Sequence, residues 1–285
     1  MEITNQYDIS IITPFYKGNQ YIEQLANCIE KNKQNSHLNI EWVLVNDSPK
    51  ETIQYPKDCT FDIHTVLNKE NVGIHQSRIN GLEHAKGKFV LMIDQDDLLE
   101  EKALSILFSH IKDNDIIVGN GYEESSTKNG PIYNSAKHQE IVKDKKWYYL
   151  IGCAITSPGH CLIRKTSIPQ LWKENILKNN GSDDLLLWLL MLEENKKFTT
   201  VYEKVYRHIY TDRNVSNNYQ TIMTSCLEVV QILEKNHLID NQMKKLFLRR
   251  LNMRKFYEGK SKFYKILAYL KYPDITYGLF QLKRM

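Results

Sequence analysis

Apolar residues follow two alternating rhythms over the first 120 positions of the chain. Short runs rich in Ile, Val, Leu and Phe (YDISIITPF, IEWVLVND, DIHTVLN, KFVLMID and DIIVGNGY) read as buried strands. Helical patterns lie between them. NQYIEQLANCIEKN sets Ile22, Leu25, Ala26 and Ile29 on one face, and HQSRINGLEHAKG ends at Gly87. LEEKALSILFSHI aligns Leu104, Leu107, Phe108 and Ile111. Strand and helix in alternation predict an α/β domain with a mostly parallel central sheet flanked by helices. Pro14 is expected to stop the first strand.

Beyond residue 131 the rhythm loosens. WYYLIGCAITSPGHCLIRK reads as strand-like pieces around a Pro-Gly turn, and KFTTVYEKVYRHIY as a strand. GSDDLLLWLLMLEEN reads as a helix, with Ser182 as N-cap and Asp183 and Asp184 in its first turn. The remainder is helical in pattern, with Ile222, Cys226, Val229, Val230 and Leu233 in one stripe and Phe263, Ile266, Leu267 and Leu270 in another.

Charge changes this picture at the end of the chain. Residues 244–285 carry twelve Lys or Arg and two acids, a surplus of +10 in a chain whose net charge is +4, so the preceding part is −6. The five cysteines are scattered and form no CxxC pair, so a reducing compartment and no disulfide framework are expected. The N-terminal residues do not read as a signal peptide, and the longest apolar run, LLLWLLML, is eight residues, too short to span a bilayer. No nucleic-acid reader motif is present, so no nucleic-acid partner is expected.

Three strand ends carry polar groups: Thr13, Asp47 and Asp94. In an open α/β sheet, ligands bind beyond the carboxyl ends of the strands. FVLMIDQDD then adds Asp96 and Asp97 to Asp94. Like charges this close are stable when a hard cation neutralises them, and Mg²⁺ or Mn²⁺ takes one or two carboxylates plus phosphate oxygens. An Asp that merely begins a turn is the plain alternative for Asp47 and Asp94, and helix capping for Asp183 and Asp184.

Five segments carry a wider resemblance: ISIITPFYKGNQYIEQLANCI, WVLVNDSP, NVGIHQSRINGLEHAKGKFVLMIDQDD, GSDDLLLWLLMLEE and YRHIYTDRNVS. In order and spacing the chain resembles the family 2 glycosyltransferases over residues 8–217. The resemblance implies a GT-A fold with a Rossmann-like nucleotide-binding half. It implies a metal-dependent, inverting hexosyltransferase that uses a nucleotide-diphosphate sugar and acts in bacterial capsule or other cell-surface polysaccharide synthesis. Thr13, Pro14 and Phe15 would form the floor under the base. Asp47 would accept from an imide N–H, favouring a UDP-sugar. Arg78 would approach the diphosphate or base, with Asp94 and Gln95 also on the donor. Asp96 would be the principal ligand of Mn²⁺ or Mg²⁺, joined by Asp94 and by His208, which closes over the diphosphate. Asp184 would be the general base. The chain departs from the family at Asn46, Ile79 and Asp183; the last leaves open which acid of Asp183-Asp184 is the base, and register favours Asp184.

The implied division is a catalytic domain over 1–217, with a nucleotide-sugar half at 1–120 and an acceptor half at 121–217, then a helical basic region over 218–285. The acceptor would be a glycan or lipid-linked oligosaccharide, and the location the cytoplasm. For the basic region two uses are weighed: docking on the inner face of the cell membrane, or packing on the catalytic domain or a second subunit. On the first, a chain cut after Asn241 should stay folded. Two rival functions remain beside the enzyme: a non-catalytic nucleotide-sugar-binding module and a sugar nucleotidyltransferase.

Overall fold

The computed structural model describes residues 6–124, 129–211, 218–258 and 260–285. The last residues of the YRHIYTDRNVS segment, and the boundary expected at 217, lie outside them. The first half runs β1 (Tyr7–Phe15), α1 (Asn19–Gln34), β2 (Ile40–Asn46), β3 (Asp62–Leu67), α2 (Gly73–His84), β4 (Gly87–Met92), β5 (Leu98–Leu99), α3 (Ala103–Ile111) and β6 (Ile116–Glu124). The second runs β7 (Asn129–Pro131), α4 (Ala136–Gln139), α5 (Lys145–Ile151), β8 (Cys161–Arg164), α6 (Gln170–Glu174), α7 (Asp183–Glu193) and β9 (Phe198–Ile209). Four helices follow: α8 (Tyr219–Lys235), α9 (Asn241–Tyr257), α10 (Lys262–Lys271) and α11 (Pro273–Lys283).

One sheet holds all the described strands, in the order β3-β2-β1-β4-β8-β6-β9-β5, with β7 beside β6. Its first four strands are parallel. From β8 onward it is mixed, because β8 and β5 run against their neighbours while β6 and β9 run together. The parallel expectation therefore holds for the half in which the helical crossovers are regular. Strand alternation sorts the side chains. Ile9, Ile11, Phe15, Trp42, Leu44, Phe89 and Leu91 face the α1 and α3 side, with Ile22, Leu25, Leu104 and Leu107. Ile12, Val43, Val45, Val90 and Met92 face the opposite core, with Ile79 and Leu82 of α2 and the buried residues of α5, α7, α8 and α9.

Two local expectations are corrected. Pro14 does not stop β1, which continues to Phe15 and pairs Pro14 with Val45. The ring is tolerated because β4 has already left that side: its last partner is Ile12, opposite Met92. Trp147–Ile151 is helix rather than strand. Asp144 accepts from the Lys146 N–H at its start (2.9 Å), and four consecutive side chains, Trp147 to Leu150, are buried between α7, α9 and α11. A helix buried on every side has no polar face to betray its period.

The helices after residue 218 share the main core instead of forming an appendage. Phe247, Leu251 and Met253 of α9, Ala268 of α10 and Ile275 of α11 are all buried in it. Cutting the chain after Asn241 is therefore expected to give aggregated protein on size-exclusion chromatography, against the expectation of a folded remnant. Large buried side chains contribute about 2–5 kcal/mol each, so losing three approaches the whole stability of about 5–15 kcal/mol typical of a domain. A monodisperse, cooperatively melting 1–241 fragment would overturn this.

Candidate active site

A cleft of about 830 Å³ opens beyond the carboxyl ends of β1, β2 and β4. Pro14, Tyr16, Lys17, Asp47, Arg78, Asp94, Gln95, Asp96, Asp183, Asp184 and His208 all border it. The sheet brings these residues to one edge, although they span nearly two hundred positions of sequence.

Each acid of the Asp94–Asp97 turn meets a different fate. Asp94 Oδ1 accepts from Arg78 Nη2 at 2.6 Å. Asp97 is fully buried; it accepts from the Tyr206 hydroxyl and the Ile209 N–H, and His208 Nδ1 lies 3.0 Å from its Oδ1. The two-stranded pairing of β5 with β9 creates this contact, setting Leu98 opposite Arg207. Asp96 has no ion pair among the described residues, and its carboxylate accepts from its own backbone N–H. Burial, then the charges of Asp97 and Asp94, push its carboxyl up to about 7. Such a group fits a cation, which would relieve the repulsion that raises it. His208 fits as well: with Nδ1 held by Asp97, Nε2 is the nitrogen left for a ligand, in the carboxylate–histidine arrangement common behind metal sites. Burial lowers the His208 pKa, but Asp97 outweighs it and the net shift is upward. Among the described residues no three His, Cys, Asp or Glu side chains form a ready-made cage. A cation here would therefore draw part of its shell from a ligand such as a diphosphate.

Arg78 is buried and joins two segments. Its Nη1 reaches Asp183 Oδ2 and its Nη2 reaches Asp94 Oδ1, both at 2.6 Å. Burial works against the guanidinium charge, but Asp183 and Asp94 outweigh it and hold the group protonated. Both ends of the fork are held by carboxylates of the protein, so Arg78 braces Asp94 and Asp183 at the edge of the cleft.

The neighbouring acids of α7 are thereby distinguished. Asp183 is buried against Arg78. Asp184 is half-buried on the cleft, with Oδ1 accepting from its own helix at Leu185 N (2.7 Å) and Oδ2 only 3.6 Å from Cys153 Sγ. Burial, then the charge of Asp183, push Asp184 up to about 7. Ser182 is at the N-cap but makes no capping hydrogen bond; its hydroxyl turns to Cys226 Sγ at 3.3 Å.

Other expected residues are placed differently. Thr13 and Phe15 do not line the cleft. Both sit on the α1 side of β1, where Thr13 accepts from the Trp42 indole N–H (3.0 Å) and Phe15 is core. Only Pro14, on the alternate face, borders the cleft. Asp47 accepts from Asn68 Nδ2 (2.9 Å), Val72 N (2.8 Å) and Gly73 N (3.0 Å), capping α2 from a distance because Val72 supplies no cap of its own. Gly73 has φ +84°, and a Cβ there would meet Asn180 Oδ1 at 2.8 Å. Gln95 bonds the backbone of Tyr16 twice, accepting from its N–H and donating to its carbonyl, each at 3.0 Å.

Sequence reasoning gave no role to Asp97 and passed over Tyr16, Lys17 and Asn180. The acidic cluster itself was the only signal for Asp97. His160, Trp188 and Trp147 to Tyr149, which could have been taken for pocket residues, are buried in the core.

A family model described as Glycosyl transferase family 2 matches residues 10–172. The putative teichuronic acid biosynthesis glycosyltransferase TuaG of Bacillus subtilis (strain 168) is 22% identical over 238 residues, 81% of this chain and 90% of that one. The glycosyltransferase GlyG of Streptococcus pneumoniae serotype 4 is 30% identical over 125 residues, 41% of this chain, and the match spans only 40% of its length. Among solved structures, S. aureus TarS 1-349 in complex with UDP-GlcNAc has a TM-score of 0.58 at 18% identity, covering 92% of this chain and 79% of that one. The mannosyltransferase PcManGT of Pyrobaculum calidifontis, in complex with GDP-Man and Mn²⁺, has a TM-score of 0.56 at 12% identity, covering 95% and 76%. At these identities the structural likeness speaks to the fold alone.

Proposed function

Because the chain belongs to glycosyl transferase family 2 and has the GT-A fold, we propose that it is an inverting enzyme moving a sugar from a UDP-sugar to a hydroxyl of a glycan or lipid-linked acceptor, in cell-surface polysaccharide synthesis on the cytoplasmic side. The observation that carries this reading is the pair Asp96 and Asp184. Both border the cleft, neither has an ion pair among the described residues, and each is raised to about 7 by burial and a neighbouring acid.

In this reading Asp184 takes the proton of the acceptor hydroxyl as its oxygen bonds the anomeric carbon. The bond from that carbon to the diphosphate oxygen breaks on the opposite face, inverting the centre, and the nucleoside diphosphate departs. Asp96 and His208 would hold Mn²⁺ or Mg²⁺, which when bound neutralises the leaving diphosphate. Asp94, expected as a further ligand, has one oxygen committed to Arg78 and serves better to fix the turn. Pro14, Tyr16 and Lys17 border the donor end, with Gln95 holding the Tyr16 backbone in place. Asp47 Oδ2 accepts one hydrogen bond and has room for an imide N–H, which supports uracil. TarS was solved with a UDP-sugar and PcManGT with a GDP-sugar, so the base has to be tested.

One titration does so. UDP and GDP are titrated calorimetrically into wild type and Asp96→Ala, with Mn²⁺ and in chelator, and hydrolysis of UDP-sugars is followed in parallel. The expected result is tighter binding of UDP, lost in chelator and in Asp96→Ala while the melting temperature of the variant holds. Tighter GDP binding would overturn the donor; full activity in chelator or in Asp96→Ala would overturn the metal. Binding with no turnover on any sugar or acceptor would favour a non-catalytic module.

A further inference from the structure

Residues 260–285 hold six Lys or Arg and one acid, interleaved with Phe, Tyr, Ile and Leu. They form α10 and α11, and each helix already has a face committed to the core. Ala268, Tyr272 and Ile275 are buried. Gly278 lies so close to α5 that a Cβ would come within 2.0 Å of Leu150 Cδ2. Packing on the catalytic body thus uses these positions, and it leaves a different apolar set outside.

Phe263, Ile266 and Leu270 of α10 and Tyr277 and Phe280 of α11 are between 50% and 74% exposed. The spacing 263, 266, 270 gives one helical stripe, and 277, 280 another. Five large apolar side chains left outside on two adjacent helices exceed the scattered exposure usual for a monomer. The rim is basic: Lys260, Lys262, Lys265, Lys271, Lys283 and Arg284 are exposed. Several lie across aromatic rings, Lys260 over Tyr264 (4.9 Å), Lys271 over Phe256 (4.7 Å) and Arg284 over Phe280 (4.2 Å). Such side chains lay their stems along apolar surface and can carry their charge outward. Asp274, the acid of this stretch, is paired with Arg249 through two contacts of 2.8 Å. The outward face therefore has no free negative charge.

We propose that α10 and α11 seat this face on an anionic lipid bilayer. The charge selects the occupant. A second copy would bring the same positive rim against its twin, whereas a bilayer carrying anionic headgroups offers opposite charge at the rim and hydrocarbon for Phe263, Ile266 and Leu270. Among the described residues no helix is long and apolar enough to cross a membrane, so the contact is one of lying on the surface. This inference stands independently of the sugar-transfer reading.

The full chain is sedimented with vesicles of phosphatidylglycerol and phosphatidylcholine, and with vesicles of phosphatidylcholine alone, at low and high salt. Partition onto the anionic vesicles at low salt is expected to exceed that onto neutral ones by about tenfold or more, and to fall with salt. The triple variant Phe263→Ser, Ile266→Ser, Leu270→Ser should lose partition while keeping its melting temperature, since all three side chains are exposed. Lys262→Glu, Lys265→Glu, Lys271→Glu should lose the preference for anionic lipid. Equal partition onto both vesicle types, or none, overturns the proposal. So does a concentration-dependent dimer in analytical ultracentrifugation that the triple serine variant abolishes.

Discussion

Asp184→Asn is expected to lower sugar-transfer turnover by about 10²–10⁴-fold, the range for losing a general base, with donor affinity largely unchanged. The amide keeps the size of the side chain and its acceptor toward Leu185 N (2.7 Å), so the fold has no reason to respond. The same carboxyl predicts a pH dependence. It is pushed up to about 7 by burial and by Asp183, and only its ionised form can accept a proton. The rate should rise through pH 7 to a plateau and fall by about tenfold per unit below it. A profile flat through 7, or a larger turnover loss in a stably folded Asp183→Asn, would move the base elsewhere. The contrast with Asp183 is the sharper test, because that neighbour is tied to Arg78 at 2.6 Å and its removal should appear first as lost stability.

Among the single substitutions, Arg78→Met carries the largest expected effect on stability. It strips Asp183 and Asp94 of their shared cation, and breaking a buried pair from one side costs about 3–5 kcal/mol. For a chain of this size that lowers the melting temperature by roughly 10 °C. Lys at this position should recover only part of the loss, since an ammonium lacks the planar fork that reaches two carboxylates at once. Thermal melts with the metal absent read this directly. If the melt is unmoved and donor binding collapses instead, Arg78 serves the diphosphate, as the family resemblance implied.

The parallel half of the sheet was readable because β1, β2 and β4 are buried over nearly their whole length, although β3 at the edge is not, and α1 shows one apolar stripe. Ile22, Leu25, Ala26 and Ile29 mark α1 this way, and all four are buried. The second half was less readable for a physical reason. Helix α5 is enclosed, so its period has no polar counterpart, and only the Asp144 cap marks its start. Within the cleft, the residues near the strand ends were found, but their partners could not be. Asp97 meets His208 across 111 positions and Arg78 meets Asp183 across 105. The family resemblance placed Thr13 and Phe15 at the cleft together with Pro14, yet a pleated strand turns neighbours to opposite sides. Asp47 stands where a strand end presents it to a ligand, and that place is also within reach of the unsatisfied N–H groups opening α2.

The paired hydrogen bonds between the Gln95 amide and the Tyr16 backbone have a mechanical consequence. A primary amide offers a donor and an acceptor side by side, as a neighbouring strand does, so Gln95 welds the turn after β4 to the turn after β1 where ordinary ladder pairing has ended. The amide also lies against Gly18, where a Cβ would come within 2.1 Å of Gln95 Oε1. Tyr16 and Lys17 on one turn and Asp96 on the other are thus coupled through one side chain. Whatever fastens Asp96 also stiffens the lip that carries Tyr16.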